Sequence, residues 1–321
     1  MIGYQASHEQ FRPSELLRYV QLAGAAGFTS VNSSDHFFPW SRAQGQSGYA
    51  FSWLGAALSA TSLPFTSVCA PGQRYHPAIV AQAVATLAEL FPGRYAVALG
   101  SGEALNERIT GTPWPPKAER NARLNECATI IRALLQGEEV NHHGQVTVEG
   151  ERLYTLPEEP PKLLAAALSA GTARQVGAWA DGLITVRQER DGLRALLDAF
   201  REGGGDGKPV YVKVDLSYSS TDAAALQGAW EQWRNNIFAG TVLGELGTVA
   251  QFDALGELVQ PEELKEKVIV SASPQAHIDA ISELRELGFE RIILHNVNRE
   301  QERFIEDFGA KVLPRFNAVM G

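Results

Sequence analysis

Residues 64–102 read PFTSVCAPGQRYHPAIVAQAVATLAELFPGRYAVALGSG, and this stretch decides the fold. It begins with a short apolar run, passes through a polar loop into a segment with apolar residues at helical spacing, and ends in a second apolar run. This order predicts a strand, a helix and a second strand parallel to the first. Gly93 follows the helical segment, as is usual for a helix end.

The same alternation recurs along the whole chain, with about eight strand-like runs separated by helical segments. Eight such units over some 300 residues predict an α/β fold, a (β/α)8 TIM barrel rather than a doubly wound sheet. Two stretches interrupt the rhythm and predict loop insertions: a β-hairpin at 138–156 and a helical insertion at 238–267. We therefore expect one barrel domain over residues 1–321.

The composition is that of an ordinary globular protein, with 45% hydrophobic and 20% charged residues. A net charge of −9 without a basic block argues against nucleic acid as a partner. The N-terminus does not resemble a signal peptide and no apolar run is long enough to span a membrane, so a cytoplasmic protein without membrane contact is expected. The cysteines Cys69 and Cys127 form no cluster with histidines, and no metal site is predicted.

Three unusual motifs follow predicted strands: SDHFFPW at 34–40 after the second, VCAPGQRYHP at 68–77 after the third, and LGSGEALNE at 99–107 after the fourth. In a barrel of this type the active site lies at the carboxyl ends of the strands. The coincidence of the three motifs at that edge predicts an enzyme.

In the first motif, His36 is a candidate general base, because an imidazole can accept a proton near neutral pH. Asp35 would orient the ring or compensate its charge. The alternative is a surface histidine beside a helix-capping aspartate. Phe37, Phe38 and Trp40 either line a wall for a planar ring or cover the rim of the barrel.

In the third motif, Glu103 follows Gly100-Ser101-Gly102, where the two glycines allow the backbone to approach a ligand. A carboxyl group in a dry mouth could have a raised pKa and donate a proton. A glutamate that favours the start of a helix is the alternative. The glycines form neither a complete dinucleotide fingerprint nor a phosphate-binding loop. Asn106 is a polar contact or part of a solvated face.

Further along, the segment AAALSAGTAR at 165–174 places small residues before a predicted helix. Ala167, Ser169 and Thr172 could cradle a phosphate at that helix start, although a capped helix without a ligand would have the same sequence. His76 and His295 follow predicted strands and could reach the site, but each is more often a structural histidine.

Together the three motifs resemble the bacterial-luciferase-like superfamily of flavin- and deazaflavin-dependent oxidoreductases. They are most similar to the branch around the glucose-6-phosphate dehydrogenases that use coenzyme F420, a deazaflavin. The resemblance is strong over about the first 110 residues and continues in the strand and helix rhythm.

The resemblance implies roles for individual residues. His36 would abstract the substrate proton, Trp40 would stabilise the developing charge, and Glu103 would act as the acid. Ser67–Val68 would form a non-prolyl cis peptide bond behind the cofactor ring. The cofactor-binding residues expected from the resemblance and from the phosphate cradle are Asp35, Ser67, Val68, Ser101, Gly102, Asn106, Ala167 and Ser169.

Two departures from the family pattern bear on substrate and cofactor. Val186 and Glu189 stand where the sugar-phosphate dehydrogenases carry a threonine and a lysine, so glucose 6-phosphate is not the expected substrate. After the fifth strand, A-A-L-S replaces a glycine-rich loop. The segments MIGYQASHEQF and TGTPWPPKAERNARL resemble a side group of the branch that uses a common flavin. FMN is therefore the favoured cofactor, with coenzyme F420 as the close alternative.

Three functions remain open at this point. The first is an oxidoreductase that transfers a hydride between a small organic substrate and bound FMN or F420. The second is a flavin-dependent monooxygenase that uses reduced FMN and oxygen. The third, from another class, is a non-catalytic flavin-binding barrel. The small-residue surfaces of several helices are compatible with a homodimer.

Overall fold

The computed structural model describes residues 1–317, in which parallel strands form a barrel surrounded by helices. The strands are β1 (Ile2–Ala6), β2 (Ser30–Ser33), β3 (Phe65–Cys69), β4 (Tyr95–Leu99), β5 (Val140–His143), β6 (Thr147–Glu151), β7 (Leu163–Ala166), β8 (Leu183–Val186), β9 (Val210–Ser217), β10 (Ile269–Val270) and β11 (Arg291–Asn296).

The helices occupy the connections between these strands. They are α1 (Pro13–Ala26), α2 (Ala50–Ala60), α3 (Pro77–Leu90), α4 (Ala104–Glu107), α5 (Lys117–Leu135), α6 (Ala170–Val176), α7 (Arg190–Phe200), α8 (Asp222–Trp233), α9 (Gly240–Leu243), α10 (Val249–Gly256), α11 (Pro274–Glu286), α12 (Gln301–Lys311) and α13 (Pro314–Asn317). Short 3-10 turns cover Arg108–Thr110, Arg234–Asn236 and Pro261–Glu266, and a π turn at Arg201–Gly205 extends α7. Between residues 1 and 317, none of these helices is both long enough and apolar enough to cross a membrane.

The barrel closes through eight parallel strands in the order β1, β2, β3, β4, β7, β8, β9 and β11, with β11 paired back onto β1. The two-residue strand β10 adds to the end of β9 outside this ring. The prediction of a (β/α)8 barrel is confirmed. Within residues 64–102, α3 ends at Leu90, and Gly93 lies in the following turn with φ 71°.

Alternation along the strands separates the barrel interior from the layer under the helices. Inward-facing side chains form a small apolar cluster of Val68, Ala98, Leu164, Ala166, Ile184, Tyr211 and Ile293. Their neighbours on the same strands, such as Val97 and Leu163, pack outward against the helices in the large core. Burying one such branched side chain contributes about 1.5–3 kcal/mol. The mouth at the carboxyl ends of the strands is left to polar residues.

Two insertions interrupt the alternation of strands and helices. β5 and β6 form an antiparallel hairpin between α5 and β7, within the segment 138–156. The helices α9 and α10 lie within the segment 238–267, and the Ala104 N–H donates to the Gly244 carbonyl at 3.1 Å. This contact brings the helical insertion against the loop that follows β4, on the side of the barrel where the predicted site residues stand.

Candidate active site

Three strand ends bring Glu9, His36 and Glu103 together at the mouth of the barrel. Glu9 follows β1, His36 follows β2 and Glu103 follows β4. Nδ1 of His36 lies 3.4 Å from Oε1 of Glu9, and Nε2 lies 3.9 Å from Oε2 of Glu103. The imidazole therefore stands between two carboxyl groups, one on each ring nitrogen.

The pKa values of Glu9 and Glu103 are shifted in opposite directions. Burial acts to raise the pKa of Glu9, but the neighbouring His36 and a hydrogen bond from Ser7 outweigh it and hold that pKa below its ordinary value. Burial raises the pKa of Glu103, and His36 only partly offsets this effect. Glu9 is thus stabilised as a carboxylate, while Glu103 is biased toward its protonated form.

Trp40 is fixed beside this group by contacts with the helical insertion. Its ring lies edge-on to His36 at 4.6 Å between centroids and to Phe252 of α10 at 5.2 Å. The Trp40 carbonyl accepts from the side chain of Asn235 at 2.7 Å, and the backbone N–H of Trp40 donates to Oε1 of Gln44 at 3.0 Å. The indole is therefore a rigid wall next to the imidazole rather than a mobile rim residue.

A second charged group surrounds Arg74, in the loop after β3. Its guanidinium donates to Asp35 Oδ2 at 2.9 Å, and its backbone N–H donates to Glu107 Oε2 at 2.8 Å. The Tyr75 hydroxyl donates to Asp35 Oδ1 at 3.1 Å. Burial raises the pKa of Asp35, and Arg74 opposes that effect. Asp35, predicted to contact a cofactor, is thus largely committed to Arg74 and Tyr75.

The glycine loop after β4 lies beside His36, as the motif suggested. Gly102 has φ +79°, and a Cβ atom there would lie 2.9 Å from Cγ of Glu107, so glycine is required. The Ser101 hydroxyl accepts a hydrogen bond from Lys117 at 2.6 Å. Asn106 is buried, and its Oδ1 accepts from the backbone N–H groups of Phe37 and Phe38. Asn106 therefore links the loop after β4 to the loop that contains Phe37 and Phe38.

The expected cis peptide bond at Ser67–Val68 is wrong, because every peptide bond among residues 1–317 is trans. Ser67 and Val68 continue the regular pairing of β3 with Val97 and Ala98 of β4. The Ser67 hydroxyl shares a 2.6 Å hydrogen bond with Tyr95, whereas Val68 packs in the inner cluster. An unbroken ladder leaves no bulge at this position.

The segment before α6 forms a capped helix start. The Ser169 side chain accepts from the Thr172 N–H at 3.3 Å, and Ala167 is buried. Leu168 between them is 51% exposed and near Gly240 of the insertion. These residues border the mouth on the side of β7, away from His36.

The floor of the mouth is suited to a flat ring. Ala70, Gly100 and Ala166 follow or end three neighbouring strands, and none carries a large side chain. A Cβ atom built on Gly100 would lie 3.6 Å from Cβ of Ala166. These small residues stand at neighbouring strand ends on the same side of the barrel as Glu103.

Sequence reasoning missed Glu9 and Arg74. The available signal was the polar run Ser7-His8-Glu9-Gln10 directly after the first predicted strand, the same position relative to a strand that drew attention to His36. Lys213 and Asp215 are two further polar side chains that face inward, and they lie within a largely apolar strand that gave no motif.

Comparisons with known proteins agree with the fold and identify the family. The profile of a family described as luciferase-like monooxygenase matches residues 2–291. An F420-dependent glucose-6-phosphate dehydrogenase of Beutenbergia cavernae is 36% identical, over 99% of this chain and 97% of the relative. A solved F420-dependent secondary alcohol dehydrogenase, in complex with an F420–acetone adduct, is 29% identical with a TM-score of 0.90 over 98% of both chains. A solved monooxygenase from Streptomyces bottropensis, at 20% identity and a TM-score of 0.75, shows the fold alone.

Proposed function

We propose, since the chain belongs to the luciferase-like family, that this oxidoreductase transfers a hydride between an unphosphorylated secondary alcohol and coenzyme F420. The observation that carries the proposal is the position of His36 between Glu9 and Glu103, two carboxyl groups with opposite pKa shifts. Pairs of titratable groups whose environments separate their pKa values are typical of acid–base catalysis.

The cofactor assignment rests on the relatives and on the open floor of the mouth. The two dehydrogenases named above are F420-dependent, and the comparisons do not support FMN over F420. Coenzyme F420 supplies a deazaflavin ring that accepts and returns a hydride. Residues that border the floor and would hold it are Gly102, Ser101 and Val68, with Ser169 and Ala167 near its extended part.

The protein's own residues would move the two protons of the reaction. His36 takes the hydroxyl proton of the alcohol on Nε2, the nitrogen that faces Glu103 and the open mouth. Glu9, a buried carboxylate on the other nitrogen, orients the imidazole and stabilises the charge that it gains. Glu103, whose pKa is raised by burial, would donate a proton as the hydride arrives. Trp40 closes the side of the site and excludes water.

The residues near the end of β8 disfavour a phosphorylated substrate. Val186 ends the strand with a side chain that cannot bind a phosphate, and Glu189 is exposed and acidic just before α7. Arg190, the next residue, is directed to Glu286 at 3.8 Å. The exposed Arg187 also follows the strand, but Glu189 two positions later would repel a phosphate dianion, whereas a neutral alcohol would meet no such repulsion.

The experiment begins with titration of the protein against F420 and against FMN, followed by the absorbance of F420 with isopropanol or glucose 6-phosphate. We expect tighter binding of F420 and reduction with isopropanol only. Tighter FMN binding, with oxygen uptake when reduced FMN is supplied, would replace the proposal with a monooxygenase. Binding without turnover of any alcohol, and with no effect of His36→Ala, would favour a non-catalytic barrel.

A further inference from the structure

His295, at the end of β11, lies in a buried polar chain that the proposed reaction does not use. Its Nδ1 is 3.0 Å from Oδ1 of Asp215 on β9, and its Nε2 is 2.9 Å from Oε1 of Gln10. The His295 side chain is 4% exposed and Gln10 is fully buried. Gln10 directly follows Glu9, the carboxylate that contacts the catalytic imidazole.

The orientation of the Gln10 amide is fixed by its other neighbours. Its Nε2 donates to the Val297 carbonyl at 2.6 Å and to Oε1 of Gln232 at 3.3 Å. A flipped amide would place its oxygen against both of these acceptors, at a cost comparable to burying unpaired polar groups. Oε1 of Gln10 therefore faces His295, and a favourable contact requires a proton on Nε2 of the imidazole.

The other nitrogen of His295 also faces an acceptor. Burial acts to raise the pKa of Asp215, but Lys213 and His295 outweigh it and hold that pKa well below its ordinary value. An ionised carboxylate only accepts hydrogen bonds, so Nδ1 must carry a proton as well. A neutral ring would set a bare nitrogen against an oxygen on one side or the other.

The surroundings of His295 contain charges of both signs. Asp215 and Glu9 favour a positive ring, whereas Lys213 on β9 disfavours it, and Trp233 of α8 presents its ring edge-on at 4.8 Å. Burial is the largest influence, and together with Lys213 it outweighs the two carboxylates, so the pKa of His295 lies below its ordinary value. Against this, each ring nitrogen faces an acceptor oxygen, and only a ring that carries both protons satisfies both contacts.

We propose that His295 carries both ring protons at neutral pH and, by holding Gln10, acts as a positioning residue for Glu9. The turn that contains these residues is short, since the Gln10 N–H donates to the Ser7 carbonyl at 3.3 Å. Glu9 in turn accepts from the hydroxyls of Ser7 and Ser34. Displacement of Gln10 would move Glu9, whose contact with His36 is already 3.4 Å long.

The protonation of His295 is measured by nitrogen NMR of protein labelled in its histidine rings, with the His295 signal assigned by its loss in His295→Gln. At pH 7 both His295 nitrogens are expected in the protonated range. In Asp215→Asn, which removes the carboxylate, the ring is expected to become neutral. A wild-type ring that is neutral at pH 7 would overturn the proposal. This measurement needs neither cofactor nor substrate, so it stands apart from the proposed function.

The positioning role, which rests on the proposed function, is tested with Gln10→Leu. A catalytic group misplaced by about 1 Å costs on the order of 100-fold in rate, so kcat is expected to fall roughly 10- to 100-fold. The KM for alcohol and the Kd for F420 should stay within about twofold of wild type.

His277→Gln is the matched control, because His277 is equally buried but contacts only the Ser271 carbonyl and aromatic rings far from Glu9. An unchanged kcat in Gln10→Leu would overturn the positioning role. So would an equal fall in kcat for Gln10→Leu and His277→Gln, since that would reflect general loosening of the fold.

Discussion

Two clusters of carboxyl groups around a cationic or ionisable side chain lie side by side at the mouth of the barrel. In the first, Arg74 is held by Asp35 at 2.9 Å, with side-chain exposures of 6% and 2%. In the second, His36 lies 3.4 Å from Glu9 and 3.9 Å from Glu103, with exposures of 15% for His36 and 34% for Glu103. The first cluster is closed by hydrogen bonds, and the second is open.

This difference separates structure from chemistry. The guanidinium of Arg74 keeps its charge at any accessible pH and is paired with the buried carboxylates of Asp35 and Glu107, so its cluster holds two loops together. The imidazole of His36 and the carboxyl of Glu103 can exchange protons and keep atoms available to a substrate. Adjacent strand ends of one barrel thus supply a scaffold and a reactive group from similar residue types.

The largest expected effect comes from breaking the open cluster. His36→Ala removes the general base, and loss of such a group costs roughly 100- to 10,000-fold in rate. Turnover of alcohol with F420 is expected to fall by that factor while the unfolding transition is nearly unchanged. His143→Ala in the hairpin is the matched control and should keep full activity. Wild-type activity in His36→Ala would remove the assigned role.

Breaking the closed cluster should instead affect stability. Arg74→Met leaves Asp35 and Glu107 buried without their cation, and removing one partner of a buried ion pair costs about 3–5 kcal/mol. Urea denaturation at pH 7 measures the change in the free energy of unfolding. Arg303→Met breaks an exposed pair with Glu300 and is expected to cost less than about 1 kcal/mol. Equal losses in the free energy of unfolding for Arg74→Met and Arg303→Met would contradict the structural role assigned to the buried cluster.

The two carboxyl groups of the open cluster should respond to pH in opposite directions. The pKa of Glu9 is lower in the folded state, so its stabilisation is present above the unfolded pKa and is lost as pH falls through the folded value. Glu9→Gln should therefore lower the free energy of unfolding at pH 7. The pKa of Glu103 is raised, so its ionisation weakens the fold as pH rises.

Glu103→Gln should accordingly raise the free energy of unfolding at pH 7, although its partly exposed side chain makes the gain small. Both differences should shrink as pH falls, because the carboxyl groups of the wild type then become protonated in both states; for Glu9 this occurs below the ordinary glutamate pKa. Urea denaturation at pH 7 and at a pH well below the ordinary glutamate pKa measures them. A loss of stability in both variants at pH 7 would contradict the opposite pKa shifts assigned to Glu9 and Glu103.

The smallest expected effect concerns the glycine loop. Ser101→Ala removes the hydroxyl that Lys117 holds at 2.6 Å, and one hydrogen bond contributes about 0.5–1.5 kcal/mol. If Ser101 borders the cofactor, the Kd for F420 should rise by roughly two- to tenfold with the rate at saturation unchanged. Thr129→Ala, whose hydroxyl bonds only within α5, is the control. An identical Kd for F420 in both variants would show that Ser101 does not border the cofactor.

The barrel could be predicted from the sequence because strand and helix periodicities alternate along most of the chain, with two recognisable insertions. His36 and Glu103 could be predicted because each stands in a motif directly after a strand. Glu9 could not, because its importance depends on a contact between residues 27 positions apart, across two strand ends. The role of Arg74 was hidden for the same reason. The Ser67–Val68 peptide was mispredicted because local geometry follows the strand ladder rather than the family pattern.

The most direct test of the account is a single turnover of F420 bound to wild-type protein with isopropanol that carries deuterium on its carbinol carbon. We expect F420 to be reduced, the deuterium to appear in the reduced cofactor, and the step to be slower than with ordinary isopropanol. His36→Ala should fail to react although it still binds F420. Reduction at the same rate in His36→Ala, or bound F420 that no unphosphorylated alcohol reduces, would contradict the account.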